Sequence, residues 1–292
     1  MRVGSALDCL LTSPERWEYD FTVIDAKRPY GLLAKFIDHL PPGLSQDSEI
    51  ELYEGAYKDS GYKMWIDKVV DKFWQNEEAV KYYKLTKDLG DGITVISSDE
   101  NESVMKAHEL IMANEFVKPY FVNDDPMVSL LHQVAIYFTY RGHKCKALLD
   151  GVKVDHRKRT IEPFDLKTTR AVYDFEEHYI MYKYYLQAAF YEIALRSEGS
   201  PVKQYLDEGY EMLDFIFIAV ENKSSSSHPA IIYVTDKEDL FKAKHGGKIK
   251  NREIKGIDQL IDDYEYHITT DRWDLPVDLI VSQGRKRLSI FN

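Results

Sequence analysis

The chain has 292 residues, of which 44% are hydrophobic and 13% aromatic, which is enough apolar material for one large core or two small ones. Its 38 Lys and Arg residues face 49 Asp and Glu residues, and the net charge of −11 argues against a protein that coats duplex DNA through a basic surface. Two cysteines are too few for a disulfide framework or a cysteine-rich zinc site.

Nothing near Met1 resembles a hydrophobic signal region. The longest apolar run, residues 215–220, is far shorter than the roughly 20 residues needed to cross a bilayer. We therefore expect a cytoplasmic protein without a membrane partner.

In chain order, the sequence predicts a helix at residues 4–11 and a break at Pro41-Pro42-Gly43. Residues 45–90 carry apolar and aromatic side chains at helical spacing, so we expect a helical insertion or elaboration there, within a single domain spanning 1–292. A helix at 105–113 and a strand at 134–138 follow.

Two strands are predicted at residues 142–150 and 160–169, and the polar turn at 155–159 joins them into a hairpin. The predicted catalytic core spans 92–220 and forms an α/β fold with a central mixed sheet flanked by helices. The later elements are a helix at 175–195, strands at 213–220 and 230–234, and a helix at 237–266.

Asp165 and Lys167 are two residues apart on a predicted strand, so they project from one face while Phe164 and Leu166 point into a core. The hairpin brings Asp150 beside Asp165. Two carboxylates offer the hard oxygen ligands that Mg²⁺ prefers, and a Mg²⁺-bound water can attack a phosphodiester. The Lys167 ammonium can orient or help deprotonate that water and offset negative charge. The pattern indicates a metal-dependent nuclease with catalytic Asp150, Asp165 and Lys167.

Each part of this pattern is ambiguous by itself. Asp-x-Lys tripeptides are common, and a pair such as Gln187 and Tyr191, one helical turn apart, more often forms an ordinary polar helix edge. The ordered set, strand-Asp, strand-Asp-x-Lys and helix-Gln-x-x-x-Tyr, is less common and favours a functional site.

This order resembles the PD-(D/E)XK nuclease superfamily, with its restriction-endonuclease-like core, and specifically the RecB-type branch. The chain is most similar to RecE-like phage exonuclease domains, and the likeness spans most of it apart from residues 45–90. Three further segments carry the resemblance. Residues 4–17 are similar to a Gly-Thr-Ala-x-His-x-Leu-x-x-x-Pro opening that precedes an aromatic residue. The other two are Gly92-Ile93-Thr94-Val95-Ile96 with the helix at 105–113, and Val134-Ala135-Ile136-Tyr137-Phe138.

The chain departs from the family pattern at three positions. Asp8 stands where those exonucleases carry a metal-binding histidine, and an aspartate is also an acceptable Mg²⁺ ligand, with an ordinary solvent-facing helix residue as the alternative. Gln133 stands where related sequences tend to have a glutamate, and Leu149 replaces the proline before the first motif aspartate.

The resemblance implies a Mg²⁺-dependent exodeoxyribonuclease that digests duplex DNA from the 5′ end toward the 3′ end in phage-type DNA recombination. It also implies a ring-like homo-oligomer around double-stranded DNA ends, a single-strand annealing recombinase as partner, and a bacterial or phage-infected host cytoplasm. The implied ligands of two Mg²⁺ ions, or of Mn²⁺ in their place, are Asp150, Asp165, the Leu166 carbonyl and Asp8, with Gln187 and Tyr191 binding the DNA strand.

Two other functions stay open. One is a different RecB-type nuclease, such as an endonuclease or a CRISPR-adaptation nuclease, although the low cysteine content disfavours the iron–sulfur forms. The other is a catalytically silent DNA-end binding protein, suggested by Asp8 and Gln133. Intact Asp150, Asp165 and Lys167 favour an active enzyme.

Overall fold

The computed structural model describes residues 2–87, 93–249 and 252–286. Gly92, part of one segment that carries the resemblance, lies outside the described residues. The chain forms two compact units, one of residues 1–113 and 221–229, the other of residues 114–220 and 230–292. A single nuclease domain with its core at 92–220 stays a prediction. No helix in the described ranges has the length and apolar character to span a membrane.

The first unit consists of helices and a two-stranded parallel sheet. Phe21 pairs with Thr94 at the start of this sheet, and Ile24 pairs with Ser97 at its end. Ser97 also caps the following helix, since its side chain accepts a hydrogen bond from the Glu100 N–H. The elements are α1 (Arg2–Thr12), α2 (Trp17–Asp20), β1 (Phe21–Ile24), α3 (Gly31–His39), α4 (Glu54–Ser60), α5 (Ile66–Trp74), α6 (Glu77–Lys87), β2 (Thr94–Ser97) and α7 (Ser98–Met112).

Aromatic side chains form much of the core of the first unit. Phe36, Phe73 and Tyr83 are buried, and the Phe73 ring contacts the Tyr83 ring edge-on at a centroid distance of 5.6 Å. The Tyr83 hydroxyl donates to the Pro41 carbonyl at 2.6 Å, so the buried phenol keeps a polar partner. Helices α4, α5 and α6 lie within residues 45–90, of which 88–90 are outside the described residues, and a helical insertion or elaboration there stays a prediction.

A mixed sheet with the strand order β3-β4-β5-β7-β8 forms the centre of the second unit, and β6 pairs in parallel with β5. Strands β3 and β4 form a long hairpin whose two-residue turn, Arg141-Gly142, has positive φ at both positions, as a tight hairpin turn requires. The elements are β3 (Val128–Tyr140), β4 (His143–Asp155), β5 (Thr160–Thr169), α8 (Phe175–Met181), α9 (Tyr184–Leu195), α10 (Lys203–Asp207), β6 (Glu211–Met212), β7 (Ile216–Glu221), β8 (Ile231–Val234), α11 (Lys237–His245), β9 (Gly247–Ile249), β10 (Arg252–Ile254), α12 (Ile257–Thr270) and α13 (Val277–Val281).

The predicted fold class, an α/β protein with a central mixed sheet flanked by helices, is confirmed. Two predicted helices are wrong in their extent. The helix at 175–195 is divided into α8 and α9, because Lys183 adopts a left-handed φ of 57° between them. The helix predicted at 237–266 is divided into α11 and α12. The first of these ends at His245, because the φ of 89° at Gly246 cannot continue a helix, and the hairpin β9-β10 precedes α12.

Gly151 lies directly beside a buried ring. A Cβ atom at this position would be 2.0 Å from Cζ of Phe164, and that ring is held between Tyr120 and Phe121 at centroid distances of 5.4 and 5.6 Å. We expect Gly151→Ala to lower the free energy of unfolding by about 1–3 kcal/mol, because the ring has no space to move. Denaturant unfolding of the purified variant measures this change.

Gly55→Ala is the matched control, since its added Cβ on α4 would have no atom within 4 Å apart from its chain neighbours and the backbone of the same helix. That variant should keep or slightly raise the free energy of unfolding, by at most about 1 kcal/mol. Wild-type stability of Gly151→Ala would contradict the close contact with Phe164.

Candidate active site

Strands β4 and β5 place Asp150 and Asp165 beside each other. Gly151 pairs with Phe164 in this antiparallel ladder, so the two aspartates occupy the next positions along the two strands. Oδ2 of Asp150 accepts a hydrogen bond from the backbone N–H of Leu166 at 2.7 Å. Asp165 is only 2% exposed. The hairpin therefore brings both predicted carboxylates to one buried location, as the sequence indicates.

Strand β3 brings Gln133 to the same location. His132 pairs with Gly151 and Val134 pairs with Leu149, so in this unchanged register Gln133 lies opposite Asp150. Gln133 adopts a φ of 50°, which is uncommon for a residue with a side chain and is found often at functional sites. Its side chain hydrogen-bonds to Asp150. At the position where the family pattern has glutamate, this chain thus places the neutral Gln133 amide against Asp150.

Both oxygens of Asp165 have polar partners. Nζ of Lys167 is 2.5 Å from Oδ2, and Nε2 of Gln187 donates to Oδ1 at 3.0 Å. Because Asp165 and Lys167 alternate with Phe164 and Leu166 along β5, the strand itself produces the ion pair. The buried carboxylate is therefore neutralised and held in place from two sides.

Lys167 is a charged ammonium in this environment. Burial lowers its pKa, but attraction to Asp165 and the hydrogen bond with it outweigh burial, so the pKa lies above its ordinary value. Its Nζ also lies 4.7 Å from the Tyr184 ring centroid and 5.9 Å from that of Phe217. A lysine held in this state can orient a water and offset negative charge, and its help in deprotonating that water stays a prediction.

Helix α9 presents a polar face to Asp165. Nε2 of Gln187 donates to the Tyr191 hydroxyl at 3.0 Å as well as to Asp165, and burial raises the pKa of Tyr191. Tyr184, which the sequence reasoning missed, lies on the same face, since residues i, i+3 and i+7 of a helix align. The spacing of three residues to Gln187 and seven to Tyr191 is the signal in the sequence that could have identified Tyr184.

The donor set fits a magnesium ion in part. Asp150 and Asp165 are hard oxygen donors, and Mg²⁺ is commonly bound by one or two carboxylates together with several waters. In the portion of the chain that the structure describes, no three His, Cys, Asp or Glu side chains form a metal cluster. Asp8 lies on α1 in the first unit, and its role as a ligand stays a prediction, as does that of the Leu166 carbonyl.

The pH profile of any metal-dependent activity should follow Asp150. Burial raises its pKa above the ordinary 3.8, although the Leu166 N–H, Lys167 and Gln133 act in the opposite direction. A carboxylate binds a cation only when deprotonated, so we expect activity at limiting Mg²⁺ to fall as the pH drops through this raised pKa. More Mg²⁺ should shift the midpoint to lower pH, because the ion competes with the proton. Rates measured against pH at two Mg²⁺ concentrations check this, and a midpoint independent of Mg²⁺ would contradict it.

No protein-family model and no curated protein matches the chain. One match among the solved structures is a proposed exonuclease from Eubacterium rectale, with 13% sequence identity, 96% of each chain covered and a TM-score of 0.41. At this similarity the match does not define the family.

Proposed function

We propose that the chain is a metal-dependent deoxyribonuclease that hydrolyses phosphodiester bonds. The observation that supports this proposal is the arrangement of Asp150 and Asp165 on neighbouring strands, with the Lys167 ammonium and the Gln187 amide bonded to Asp165. Paired acidic ligands, a fixed cation and a polar helix face are the groups that phosphodiester hydrolysis requires.

In this proposal Asp150 and Asp165 hold Mg²⁺, with the Leu166 carbonyl and Asp8 as further ligands. The bound ion supplies a water of lowered pKa and neutralises charge on the phosphate. Lys167 orients the attacking water and offsets negative charge at the scissile group, while Gln187 fixes Asp165 through its hydrogen bond. The second ion and the use of Mn²⁺ in place of Mg²⁺ rest on the family resemblance.

The finer part of the proposal is a 5′-to-3′ exonuclease of phage-type recombination. It rests on the resemblance of residues 4–17, 105–113 and 134–138 to RecE-like exonuclease domains. Such an enzyme acts on double-stranded DNA ends as a homo-oligomer, leaves single strands for an annealing recombinase and works in the cytoplasm. Part of the opening segment lies on α1, and strand β3 includes residues 134–138.

Gln133 supports the second candidate, a catalytically silent DNA-end binding protein. It contributes a neutral amide beside Asp150 where the family pattern has a carboxylate, so the site has one acidic ligand fewer. A different RecB-type nuclease, such as an endonuclease or a CRISPR-adaptation nuclease, is the remaining alternative.

Cleavage of linear and covalently closed duplex DNA separates these functions. We expect the full chain in Mg²⁺ to degrade linear duplex, to release a 5′-terminal label first, and to leave a closed circle of the same sequence intact. Calcium should support binding without cleavage, because its looser coordination positions water poorly. Nicking of the circle at a similar rate would identify an endonuclease, and binding without cleavage in Mg²⁺ or Mn²⁺ would identify the silent binder.

A further inference from the structure

The long hairpin formed by β3 and β4 exposes one of its two faces. From Val134 along β3, and along β4 as far as Leu149, buried or partly buried positions alternate with exposed ones, as in any strand that packs on one side only. The exposed positions of the two strands are paired across the ladder: Ala135 with Leu148, Tyr137 with Lys146, and Thr139 with Lys144. We call these six residues the open face.

The open face carries positive charge in an acidic chain. The sequence has no Asp or Glu from Val128 to Leu149, although the whole chain has 49 such residues among 292. No residue in the described ranges forms an ion pair with Lys144 or Lys146, and both side chains are exposed. Their two ammonium groups are therefore available to an external anion.

The acidic side chains of α12 that reach the hairpin contact its turn. Arg141 pairs with Asp262 at 2.6 Å and with Asp258 at 3.8 Å, and Nε2 of His143 is 2.8 Å from Oε1 of Glu265. These carboxylates are held by partners at the end of the hairpin, beyond Lys144 and Lys146. The charge that the open face presents to a ligand is accordingly positive.

Tyr137 adds an exposed aromatic ring to this face. Its side chain is 67% exposed, and Leu148, its diagonal neighbour, is 44% exposed. Nζ of Lys146 lies 5.7 Å from the centroid of the Tyr137 ring, so a cation and a flat apolar surface are side by side. Proteins that bind single-stranded nucleic acid combine aromatic rings, on which bases stack, with cations along the backbone. In a duplex the faces of the bases are already stacked on one another, so an exposed ring suits unpaired bases.

Strand β4 connects the open face with the candidate active site. Lys146 precedes Asp150 by four residues and Lys144 by six, which at about 3.4 Å per residue gives roughly 14 and 20 Å. The two lysines are about 7 Å apart along the strand, close to the spacing of neighbouring phosphates in an extended nucleic acid strand. A DNA strand with one phosphate at Asp150 would reach the open face roughly two to three nucleotides away.

We propose that the open face binds the single-stranded segment of DNA next to the bond that the site cleaves, an inference that rests on the proposed nuclease function. Lys144 and Lys146 contact successive phosphates, and an unpaired base stacks on Tyr137. These contacts involve the backbone and the flat side of a base, so the open face binds DNA without sequence preference.

Binding of a single-stranded oligonucleotide in EDTA tests the open face without cleavage. The full chain is titrated into a fluorescein-labelled oligothymidylate at several salt concentrations, and binding is followed by fluorescence anisotropy. Tyr137→Ala should lower the affinity about fivefold or more, whereas Tyr137→Phe keeps the ring and should stay within about twofold of the wild type. Lys146→Met and Lys144→Met should each reduce the slope of log affinity against log salt by about 0.7, the value for one phosphate contact on a single strand.

Lys237→Met is the matched control, because it removes an exposed ammonium from α11, outside the hairpin, and should keep the wild-type affinity and slope. Thermal unfolding curves establish that each variant is folded. Wild-type affinity in Tyr137→Ala, or an unchanged salt slope in Lys146→Met, would overturn the proposal. An equal loss of affinity for a blunt duplex of the same length would overturn the assignment to a single strand.

The outcome for the open face is distinguishable from that for the nuclease. If the wild type cleaves DNA while the hairpin variants bind the oligonucleotide as the wild type does, the open-face proposal fails and the nuclease proposal stands. If Tyr137 and Lys146 are required for binding yet the wild type cleaves no DNA in Mg²⁺ or Mn²⁺, the nuclease proposal and the link to a cleaved strand fail.

Discussion

Asp165→Asn should reduce DNA cleavage in Mg²⁺ by at least about a thousandfold. The substitution removes a charged oxygen ligand, and losing roughly 4 kcal/mol of transition-state stabilisation gives that factor at about 1.4 kcal/mol per tenfold. Asn also changes the contact to Lys167, whose Nζ is 2.5 Å from Oδ2 in the wild type. Asp150→Asn should have a similar effect, and the carboxylate oxygen that accepts the Leu166 N–H can be replaced by the amide oxygen, so the fold should persist.

Single-turnover cleavage of linear duplex and a thermal unfolding curve for each purified variant measure these effects. Asp124→Asn is the matched control, because it removes the same charge from an exposed position in the same unit and should cleave at the wild-type rate. Wild-type activity in either Asp150→Asn or Asp165→Asn would remove these residues from the site.

Lys167→Met should lower kcat by about a hundred- to a thousandfold, because it removes one preorganised positive charge that stabilises the transition state. Met keeps a stem of similar length against Tyr184 and Phe217, so the packing changes little while the ammonium is lost. The variant should also unfold more easily without metal, because a buried Asp165 that loses its ion pair costs about 3–5 kcal/mol.

A divalent cation should restore part of that lost stability, since an ion on Asp165 replaces the missing positive charge and binds only the folded state. Unfolding temperatures with and without Mg²⁺, alongside kcat, separate the two effects. Lys167→Arg keeps the charge and should retain more stability than Lys167→Met. A Lys167→Met enzyme with wild-type kcat would show that the ammonium has no part in the reaction.

The proximity of Asp150, Asp165 and Lys167 was predictable, because strand periodicity and the polar turn between β4 and β5 both indicate it. Alternation at Phe164, Asp165, Leu166 and Lys167 specifies which side chains share a face, and the polar turn at 155–159 specifies the hairpin that brings Asp150 beside them. Both signals are local, so the sequence alone was sufficient to predict that these three side chains lie close together.

Backbone conformations with positive φ were not predictable in the same way. Lys183 divides a segment with continuous helical spacing, and Gln133 interrupts the extended backbone of β3, yet neither is a glycine or an asparagine that would mark such a position. Contacts among the aromatic side chains around Lys167 depend on strands and helices distant in the chain, and no local pattern relates Phe217 to Tyr184.

Binding of Mn²⁺ followed by electron paramagnetic resonance, on the same preparations used for cleavage, tests most directly whether Asp150 and Asp165 hold a catalytic cation. The predicted result is that the wild type and Asp124→Asn bind Mn²⁺ and cleave linear duplex, while Asp165→Asn loses both properties together. Wild-type Mn²⁺ binding and cleavage in Asp165→Asn, or undiminished wild-type cleavage in the presence of EDTA, would contradict the assignment of this carboxylate pair as the metal site.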